Sequence, residues 1–379
     1  EEPPGRFGAT MLTDEARQQR PNGAAMSRTF PPHALVCALC LGAWASLHGA
    51  APDSGEVEMS REVQAAIGLA QQYLASRQRA DGSFSGEYGE ESGIVATGVL
   101  AWMVSGNTPG AGPYGRQVSR GLDYVLSRAQ SSGLLHGGRD ERHAMYHHGL
   151  ATLCLAEAYG QSLEERLQAH LRAAVELIVR CQNEKGGWRY QPRLDPQGDL
   201  SVTVLQLLAI RAARNAGVAV PKETIERAVR YVEGCQAPGE PPGAIGGYAY
   251  QPGQGRRWST TAAGVMSLLL CGEYQVEKFR AALDYLMSVR QRREDNQWFL
   301  YGNYYAAQAI YQAAGRLEAL REYWPRWYGS FTRDLLPRQE KTGGEKGRFE
   351  PDREYGVWGT AMCVLILGLP FRYLPVYQR

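Results

Sequence analysis

The sequence predicts an all-α protein, an (α/α)6 toroid in which six helix-pair repeats form a ring. One observation is a Gln after the first helix of each unit, at successive spacings of 52, 52, 54, 55 and 48 residues. A fixed period of this size is typical of stacked supersecondary units. The other is a contrast within every unit, where one helix is amphipathic and the next is apolar on most sides. The anchors are Gln78, Gln130, Gln182, Gln236, Gln291 and Gln339.

The first helix of each unit carries a single apolar stripe. In the stretch 63–79, Val63, Ala66, Ile67 and Ala70 follow the i, i+3, i+4, i+7 spacing of one helical face. A helix of this kind covers a core on one side and faces solvent on the other, so we predict that these helices form the outer ring. Their predicted ranges are 63–79, 118–128, 171–181, 225–235, 279–289 and 327–336.

The second helix of each unit is crowded with Gly, Ala, Ser and Thr between larger apolar residues. A helix that is apolar all round is a buried one, which predicts an inner ring around a central cavity. Gly-rich joints supply the turns, and the longest joint, 237–257, is expected to be a loop. The predicted inner helices are 93–105, 144–159, 200–215, 259–270, 303–314 and 355–367.

Charge and composition narrow the function classes. The chain has 41 Lys and Arg against 39 Asp and Glu, a formal net charge of +2, and no basic stripe with interleaved aromatic residues. Nucleic-acid binding is therefore disfavoured. We predict no cofactor, and no transmembrane segment in the chain that remains after the N-terminal targeting segment is removed.

The N-terminal region has the pattern of a secretory signal. A positive start at Arg28, an apolar run over 34–47 and small residues at Gly49 and Ala51 are typical of one. The run is too short to span a membrane. We expect a periplasmic or secreted protein with this order: an upstream extension at 1–25, a signal peptide at 26–51, a linker at 52–60 and the toroid at 61–379.

Five Cys residues follow the predicted signal, and we expect all of them to be free and buried. They are dispersed, odd in number and placed within apolar helical stretches. Buried free thiols behave as small hydrophobic side chains, so no disulfide framework is predicted. These residues are Cys154, Cys181, Cys235, Cys271 and Cys363.

Several strings resemble the repeats of a known superfamily. The segments from Gln78 to Phe84 and from Gln182 to Trp188 resemble the Gln-Trp repeats of squalene–hopene cyclases. The strings Gly186-Gly-Trp-Arg-Tyr190 and Asp199-Leu-Ser-Val-Thr203 resemble those of prenyltransferase/squalene-oxidase repeat proteins. The resemblance covers about 61–379 and implies the α/α toroid of the terpenoid cyclase and protein prenyltransferase superfamily.

The motifs that start the chemistry of this superfamily are missing here. Class II terpene cyclases protonate an alkene with an Asp-x-Asp-Asp cluster, which the sequence lacks. Protein prenyltransferases hold zinc with Asp, Cys and His, and no Asp-x-Cys string follows the predicted signal. We therefore predict no metal site, and catalysis is disfavoured.

Three polar residues are catalytic candidates. His147 and His148 lie near the start of the second inner helix, and Asp199 lies at the start of the third. Consecutive helical residues point about 100° apart, so only one of the two His can face the cavity. Each candidate has a structural alternative, Asp199 as a helix N-cap and the His residues as packed side chains.

Aromatic residues with polar tips cluster at the starts of inner helices. Such rings can hold an isoprenoid chain or stabilise a cation, and packing between repeats is the alternative. The candidate ligand-binding residues are Tyr146, Trp298, Tyr301, Tyr304, Tyr305, Tyr355 and Trp358.

Three functions follow as hypotheses. The first is an exported terpenoid-cyclase/prenyltransferase-like protein that binds an apolar, isoprenoid-type ligand in its central cavity. The second is a non-catalytic scaffold that binds another protein of the cell envelope. The third is a glycan-active (α/α)6 enzyme, which needs two facing carboxylates, and for which Glu91 and Asp199 are available.

Overall fold

The computed structural model describes residues 59–86, 88–139, 141–239, 242–272, 276–289, 298–349 and 356–377. These residues form one compact unit. The predicted upstream extension, the signal peptide and most of the linker lie outside the described residues, as do Gln291 and Tyr355. None of the described helices is long and apolar enough to cross a membrane.

Twelve helices alternate between an outer and an inner position in the described part of the chain. The even-numbered helices are buried on nearly every side, whereas the odd-numbered ones bury one stripe. They are α1 (Arg61–Arg77), α2 (Ser92–Met103), α3 (Gly115–Ser127), α4 (Ala144–Ser162), α5 (Glu165–Cys181), α6 (Leu200–Asn215), α7 (Lys222–Gly234), α8 (Trp258–Leu270), α9 (Arg280–Ser288), α10 (Phe299–Ala314), α11 (Tyr323–Leu335) and α12 (Gly356–Leu367).

The even-numbered helices form a closed ring. Each packs against the next in chain order, and α12 returns to α2. The odd-numbered helices pack outside, each against inner helices of its own or the preceding repeat. The predicted α/α toroid is therefore confirmed. Several boundaries also agree closely, since α6 spans the predicted 200–215, whereas α10 begins four residues earlier than predicted.

Three of the repeated Gln residues tie one repeat to the next, whereas Gln130 and Gln236 are exposed. Gln182 Nε2 donates to Gly186 O within its own turn and to Thr224 O of the following outer helix, both at 2.9 Å. Gln78 makes the same pair of contacts in the first repeat. Gln339 Nε2 donates to Ala66 O of α1 at 2.8 Å, which joins the last repeat to the first. At three joints the repeated Gln is therefore a hydrogen-bonded link between repeats.

Replacing Gln339 by Ala is expected to destabilise the ring at this closure. The substitution leaves the buried Ala66 and Gly347 carbonyls without their amide donor. An unsatisfied buried polar group costs about 1–3 kcal/mol. Chemical denaturation of Gln339→Ala should show this loss, and Gln64→Ala, at an exposed position of α1, is the matched control. Equal stability of the two variants would contradict a role in closure.

An aromatic side chain sits behind the Gln turn in four repeats. Phe84, Trp188, Tyr248 and Phe349 are all at most 1% exposed. The backbone N–H groups of Trp188, Tyr248 and Phe349 donate to a Thr hydroxyl of the following inner helix at 3.0–3.1 Å. These aromatic residues are therefore structural pins between the turn and the inner ring.

The joint 237–257 differs from the expected loop. It contains a three-stranded antiparallel sheet in the order β1 (Gln236–Pro238), β2 (Ile245–Ala249) and β3 (Arg256–Arg257). All five residues of β2 are buried, because the strand packs against α8 and α9. Several of the Gly and Pro residues that favoured a loop lie in the turns between these strands.

The C-terminal segment lies against the inner ring. A short 3-10 turn, Pro375–Tyr377, contacts α4 and α6, and Leu374 and Val376 are buried. Val376 N donates to Glu157 Oε2 of α4 at 3.4 Å. Burial raises the pKa of the Glu157 carboxyl to about 8. Glu157 is therefore held largely as a neutral acid near pH 7.

The five Cys residues 154, 181, 235, 271 and 363 form no disulfide with one another. Cys154, Cys181, Cys235 and Cys363 are buried, and burial raises the pKa of each of these thiols. Cys271 is only half-buried, because it lies just past the end of α8. The expectation that all five are buried is wrong for this residue.

Candidate functional site

Asp199 is the N-cap of α6 and is held from three sides. Its Oδ1 accepts from Val202 N at 2.9 Å and from Ser201 Oγ at 2.6 Å. Its own N–H donates to Trp188 O, and the next N–H, of Leu200, donates to Tyr250 O. The N-cap prediction is thus correct. The contacts also fix the carboxyl group between the third and fourth repeats.

The carboxyl group of Asp199 is fully buried. Its Oδ2 has no hydrogen bond of ordinary geometry within the described residues, but the Tyr250 hydroxyl lies close enough to interact with the carboxyl group. Burial raises the pKa of this carboxyl, while the contacts from Ser201, Val202 and Tyr250 partly oppose that rise. A buried carboxyl with a raised pKa is suited to donating or accepting a proton.

Tyrosine hydroxyls surround this carboxyl. Tyr146 Oη lies 2.5 Å from Ser201 Oγ and acts as the donor, because the Ser201 hydrogen is directed to Asp199. Tyr301 reaches from α10 to donate to Ser201 O at 3.3 Å. Tyr190 and Tyr250 hydrogen-bond to each other through their hydroxyls, and Tyr250 lies close enough to influence Asp199. The surroundings therefore combine aromatic faces with polar tips.

A second buried carboxyl belongs to Glu91, the residue just before α2. Its Oε1 accepts from Arg139 N at 2.6 Å, and its Oε2 lies 3.7 Å from His147 Nε2. Gly138 has a φ of +111°, and a Cβ there would lie 2.2 Å from the Glu91 carboxyl. Glycine at 138 thus both permits the turn and makes room for the carboxyl. Glu91 is 2% exposed, so it is as enclosed as Asp199.

The first turn of α4 connects the two carboxyl groups. Tyr146 contacts the Asp199 side through Ser201, and the adjacent His147 contacts Glu91. Helix α4 packs between α2 and α6 in the ring. Glu91 and Asp199 therefore flank the same helical turn, at the N-terminal end of the inner ring. We call Glu91, Tyr146, His147, Asp199 and Ser201 the carboxyl cluster.

His148 has a different place from its neighbour. It is fully buried, Nδ1 accepts from Leu135 N at 3.1 Å, and Nε2 lies 3.2 Å from Ala174 O of α5. Burial lowers the pKa of this imidazole to about 4, so the ring is neutral near pH 7. In the second repeat, His148 thus accepts a hydrogen bond from the backbone of the turn, as a Thr hydroxyl does in three other repeats. Of the two His candidates, only His147 belongs to the carboxyl cluster, through its contact with Glu91.

The predicted aromatic residues fall into two groups. Tyr301 and Tyr305 pack edge to face with ring centroids 4.8 Å apart, Tyr304 packs on Tyr305, and Tyr146 lies close to both Tyr301 and Tyr305. Burial raises the pKa of Tyr146, Tyr301 and Tyr305 well above the ordinary value. Trp298, by contrast, is 55% exposed just before α10, and Trp358 is half-buried on α12.

Tyr190 and Tyr250 were missed from the sequence. Each lies two positions after an aromatic pin, Trp188 or Tyr248, in consecutive repeats. An alignment of the repeats with one another would have shown this equivalence. His143 packs edge-on against Tyr190 at 5.2 Å, and Tyr146 stacks on the same ring at 5.9 Å. These rings extend the carboxyl cluster toward the surface.

The described residues contain no group of three or more His, Cys, Asp and Glu that could hold a metal ion. The carboxyl cluster has two carboxylates and one imidazole, contributed by separate helices. Carboxyl, imidazole and hydroxyl groups of this kind can form hydrogen bonds and transfer protons.

Solved structures share the fold at low identity. An inactive variant of an alpha-1,6-mannanase of Salegentibacter sp. HEL1_6, in complex with alpha-1,6-mannotriose, is 9% identical with a TM-score of 0.60, over 82% of this chain and 99% of that one. Another structure of this mannanase is 10% identical with a TM-score of 0.58, over 81% of this chain and 98% of that one. A type II terpene cyclase from Scytonema, in complex with merosterolic acid A, is 15% identical with a TM-score of 0.48, over 81% of this chain and 96% of that one. These likenesses concern the fold alone.

No curated protein matches the chain. A family model, the prenyltransferase alpha-alpha toroid domain, matches residues 33–144, 71–220 and 140–366. These overlapping matches cover most of the sequence, and the closed ring of inner helices agrees with them. The chain therefore belongs to the prenyltransferase alpha-alpha toroid domain family.

Proposed function

We propose that this chain is an exported toroid that binds an oligosaccharide at the N-terminal end of its inner ring and hydrolyses it with Glu91 and Asp199. The observation that carries the proposal is that two buried carboxyl groups flank one turn of α4. Glycoside hydrolysis commonly uses two carboxyl groups, one as acid and one as base or nucleophile. The secretory pattern at 26–51 supports an extracytoplasmic site of action.

The two environments suit different roles. Burial raises the pKa of Asp199, which favours a protonated acid that donates its proton to the glycosidic oxygen as the C–O bond breaks. Glu91 Oε1 accepts from Arg139 N and Glu91 Oε2 lies 3.7 Å from His147 Nε2, and we assign Glu91 as the base or nucleophile. With Glu91 as the nucleophile, water releases the sugar from Glu91 and its proton passes to Asp199. With Glu91 as the base, Glu91 takes the proton of the attacking water, and both carboxyl groups return to their starting states by proton exchange with solvent.

The surroundings favour a hydroxyl-rich ligand over a plain hydrocarbon. The hydroxyls of Tyr146, Tyr190, Tyr250 and Tyr301 form hydrogen bonds beside the carboxyl groups. Aromatic faces with polar tips provide both contact area and orientation for a sugar ring. A protein of this fold can bind an oligosaccharide, since the mannanase with the same fold was solved in complex with alpha-1,6-mannotriose.

The test is a screen of the mature protein for release of reducing sugar from polysaccharides of varied linkage. Asp199→Asn and Glu91→Gln should each lower the rate at least about a hundredfold, as for loss of a general acid or base. Glu226→Gln, an exposed carboxyl on α7, is the matched control. Activity should fall as pH rises through the raised pKa of Asp199, because the acid must be protonated. Full activity of both cluster variants would contradict the assignment.

A second proposal keeps the apolar, isoprenoid-type ligand predicted from the sequence. Its support is the group of buried rings, Tyr146, Tyr301 and Tyr305, at the same end of the inner ring. Native mass spectrometry of protein from an exporting host distinguishes the two. A retained adduct with the mass of an isoprenoid lipid favours this second proposal. Hydrolysis of a polysaccharide favours the first, and envelope proteins captured with no small ligand favour a scaffold.

A further inference from the structure

Two arginines stand on aromatic rings beside the carboxyl cluster. Arg189 directly follows the pin Trp188, and its guanidinium lies 5.4 Å from the ring centre of Tyr190. Arg257 is the N-cap residue of α8, and its guanidinium lies 5.5 Å from the ring centre of Tyr250. In two consecutive repeats an arginine thus stacks on the equivalent tyrosine, although Arg189 comes from the turn after the pin and Arg257 from the start of the following inner helix.

The two arrangements are joined to each other and to Asp199. The hydroxyls of Tyr190 and Tyr250 form a hydrogen bond, so the two rings are held together. Leu200 N donates to Tyr250 O, and Arg189 is near enough to lower the pKa of Asp199. The arginines therefore lie on the surface side of the carboxyl group that we assign as the acid. Asp199 is fully buried, whereas Arg257 is exposed and Arg189 half-buried.

Neither guanidinium forms an ion pair with any residue in the described ranges. Arg189 donates only to Gln197, at 3.2 and 3.3 Å, and no side-chain hydrogen bond of Arg257 is found there. Some other arginines of the chain are paired, such as Arg166 with Asp123 and Arg79 with Glu90. A guanidinium without an ion pair can receive the negative charge of a bound ligand.

Stacking leaves the hydrogen-bonding edge of a guanidinium available. An arginine on an aromatic face is pre-organised, and its N–H fork matches a carboxylate or sulfate in two parallel hydrogen bonds. Two further arginines, Arg139 and Arg142, are exposed just before α4 at the same end of the ring, on either side of Asp140 and Glu141 in the sequence.

We infer that the oligosaccharide bound here is acidic, and that Arg189 and Arg257 receive a uronate carboxylate or a sulfate on the sugar next to the one held at Asp199. This inference rests on the proposed function and narrows its substrate class. The arginines act in binding, and the bond-breaking step is left to Glu91 and Asp199. Salt should weaken this interaction, since it screens exposed charges.

The test is binding of the Asp199→Asn protein to a glycan array. Each uronate-bearing or sulfated oligosaccharide is printed beside its carboxyl-reduced or desulfated counterpart. We expect acidic members to be preferred at least tenfold, with a preference that decreases at higher salt. Arg189→Gln and Arg257→Gln, each made in the same background, should remove most of this preference while retaining affinity for the neutral members. Arg172→Gln, at an exposed position of the outer helix α5, is the control for loss of one positive charge.

The outcomes separate the two claims. Equal or tighter binding of the neutral members overturns the inference and leaves the proposed function intact. An acidic preference that persists in both arginine variants also overturns it, because the charge would then be recognised elsewhere. Binding of no glycan at all, by a protein whose thermal unfolding is normal, overturns the proposed function and the inference together.

Discussion

Replacing Trp188 by Ala is expected to lower the free energy of unfolding by about 3–5 kcal/mol, the usual cost of removing a large buried aromatic side chain. Trp188 is 1% exposed, and its Nε1 donates to Ile178 O of α5 at 2.7 Å. Its backbone N–H donates to Thr203 Oγ1 of α6. The side chain thus fastens an outer helix to an inner one, and its loss leaves both a cavity and an unpaired carbonyl.

Chemical denaturation of two variants separates the cost of the cavity from the cost of the unpaired carbonyl. Trp188→Phe keeps most of the ring volume and loses only the indole donor, so its cost should be the smaller, about 1–3 kcal/mol. Sugar affinity should change little in Trp188→Phe, because the backbone bridge between Trp188 and Asp199 remains. An unchanged denaturation midpoint for Trp188→Ala would refute the structural role of this residue.

Stability is expected to fall as pH rises from about 6.5 to 8, because of Glu157. Its folded-state pKa, about 8, lies above the ordinary 4.5, so the folded state holds a proton that the unfolded chain has released. Stability from this group is complete below 4.5 and is lost as pH rises toward 8. The slope is about 1.4 kcal/mol per pH unit for one proton, or about 2 kcal/mol over this window.

His148 acts in the opposite direction at lower pH. Its folded-state pKa is about 4 against an ordinary 6.5, so the unfolded chain binds the extra proton and stability falls as pH drops between these values. Glu157 and His148 therefore offset each other between about 4.5 and 6.5. Above pH 6.5, of these two groups only Glu157 still makes stability depend on pH. The window from 6.5 to 8 therefore separates its effect from that of His148.

Glu157→Gln provides the measurement. The amide cannot ionise, and its oxygen can still accept from Val376 N. Urea denaturation at pH 6.5, 7.25 and 8 should show a decline in the wild type and a flat profile in the variant. The C-terminal segment should also become more open to proteolysis at pH 8 in the wild type alone, because its contact with the inner ring is weakened. Identical pH profiles would show that Glu157 is not the titrating group.

The helices were predictable because their signal is local. The range of α6 follows directly from an apolar stretch that begins after an N-capping Asp199. The Gln residue follows directly after α1 and α5 and lies within a few residues of the ends of α3, α7 and α11. The strand Ile245–Ala249 was missed because its burial depends on packing against α8 and α9, which no local pattern contains. The segment 237–257 is rich in Gly and Pro, and this composition obscured a short strand.

The site was predictable only in part, for a related reason. Asp199, His147 and Tyr146 were found because they stand at the starts of inner helices. Their partners come from other repeats, such as Tyr301 on α10, which reaches Ser201 on α6. Glu91 was named as a carboxylate, but its relation to His147 depends on the close packing of α2 and α4 that Gly93 permits, since a Cβ there would lie 2.8 Å from His147.

The most direct test of the central claim is a crystal structure of the Asp199→Asn protein with an oligosaccharide selected by the screen. The variant keeps the shape of the site and should retain the uncleaved ligand. We predict that the glycosidic oxygen lies within hydrogen-bonding distance of residue 199, with Glu91 on the other side of the bond and the sugar ring against Tyr146. A ligand bound on the outer helices, or one that contacts neither carboxyl position, would contradict the account.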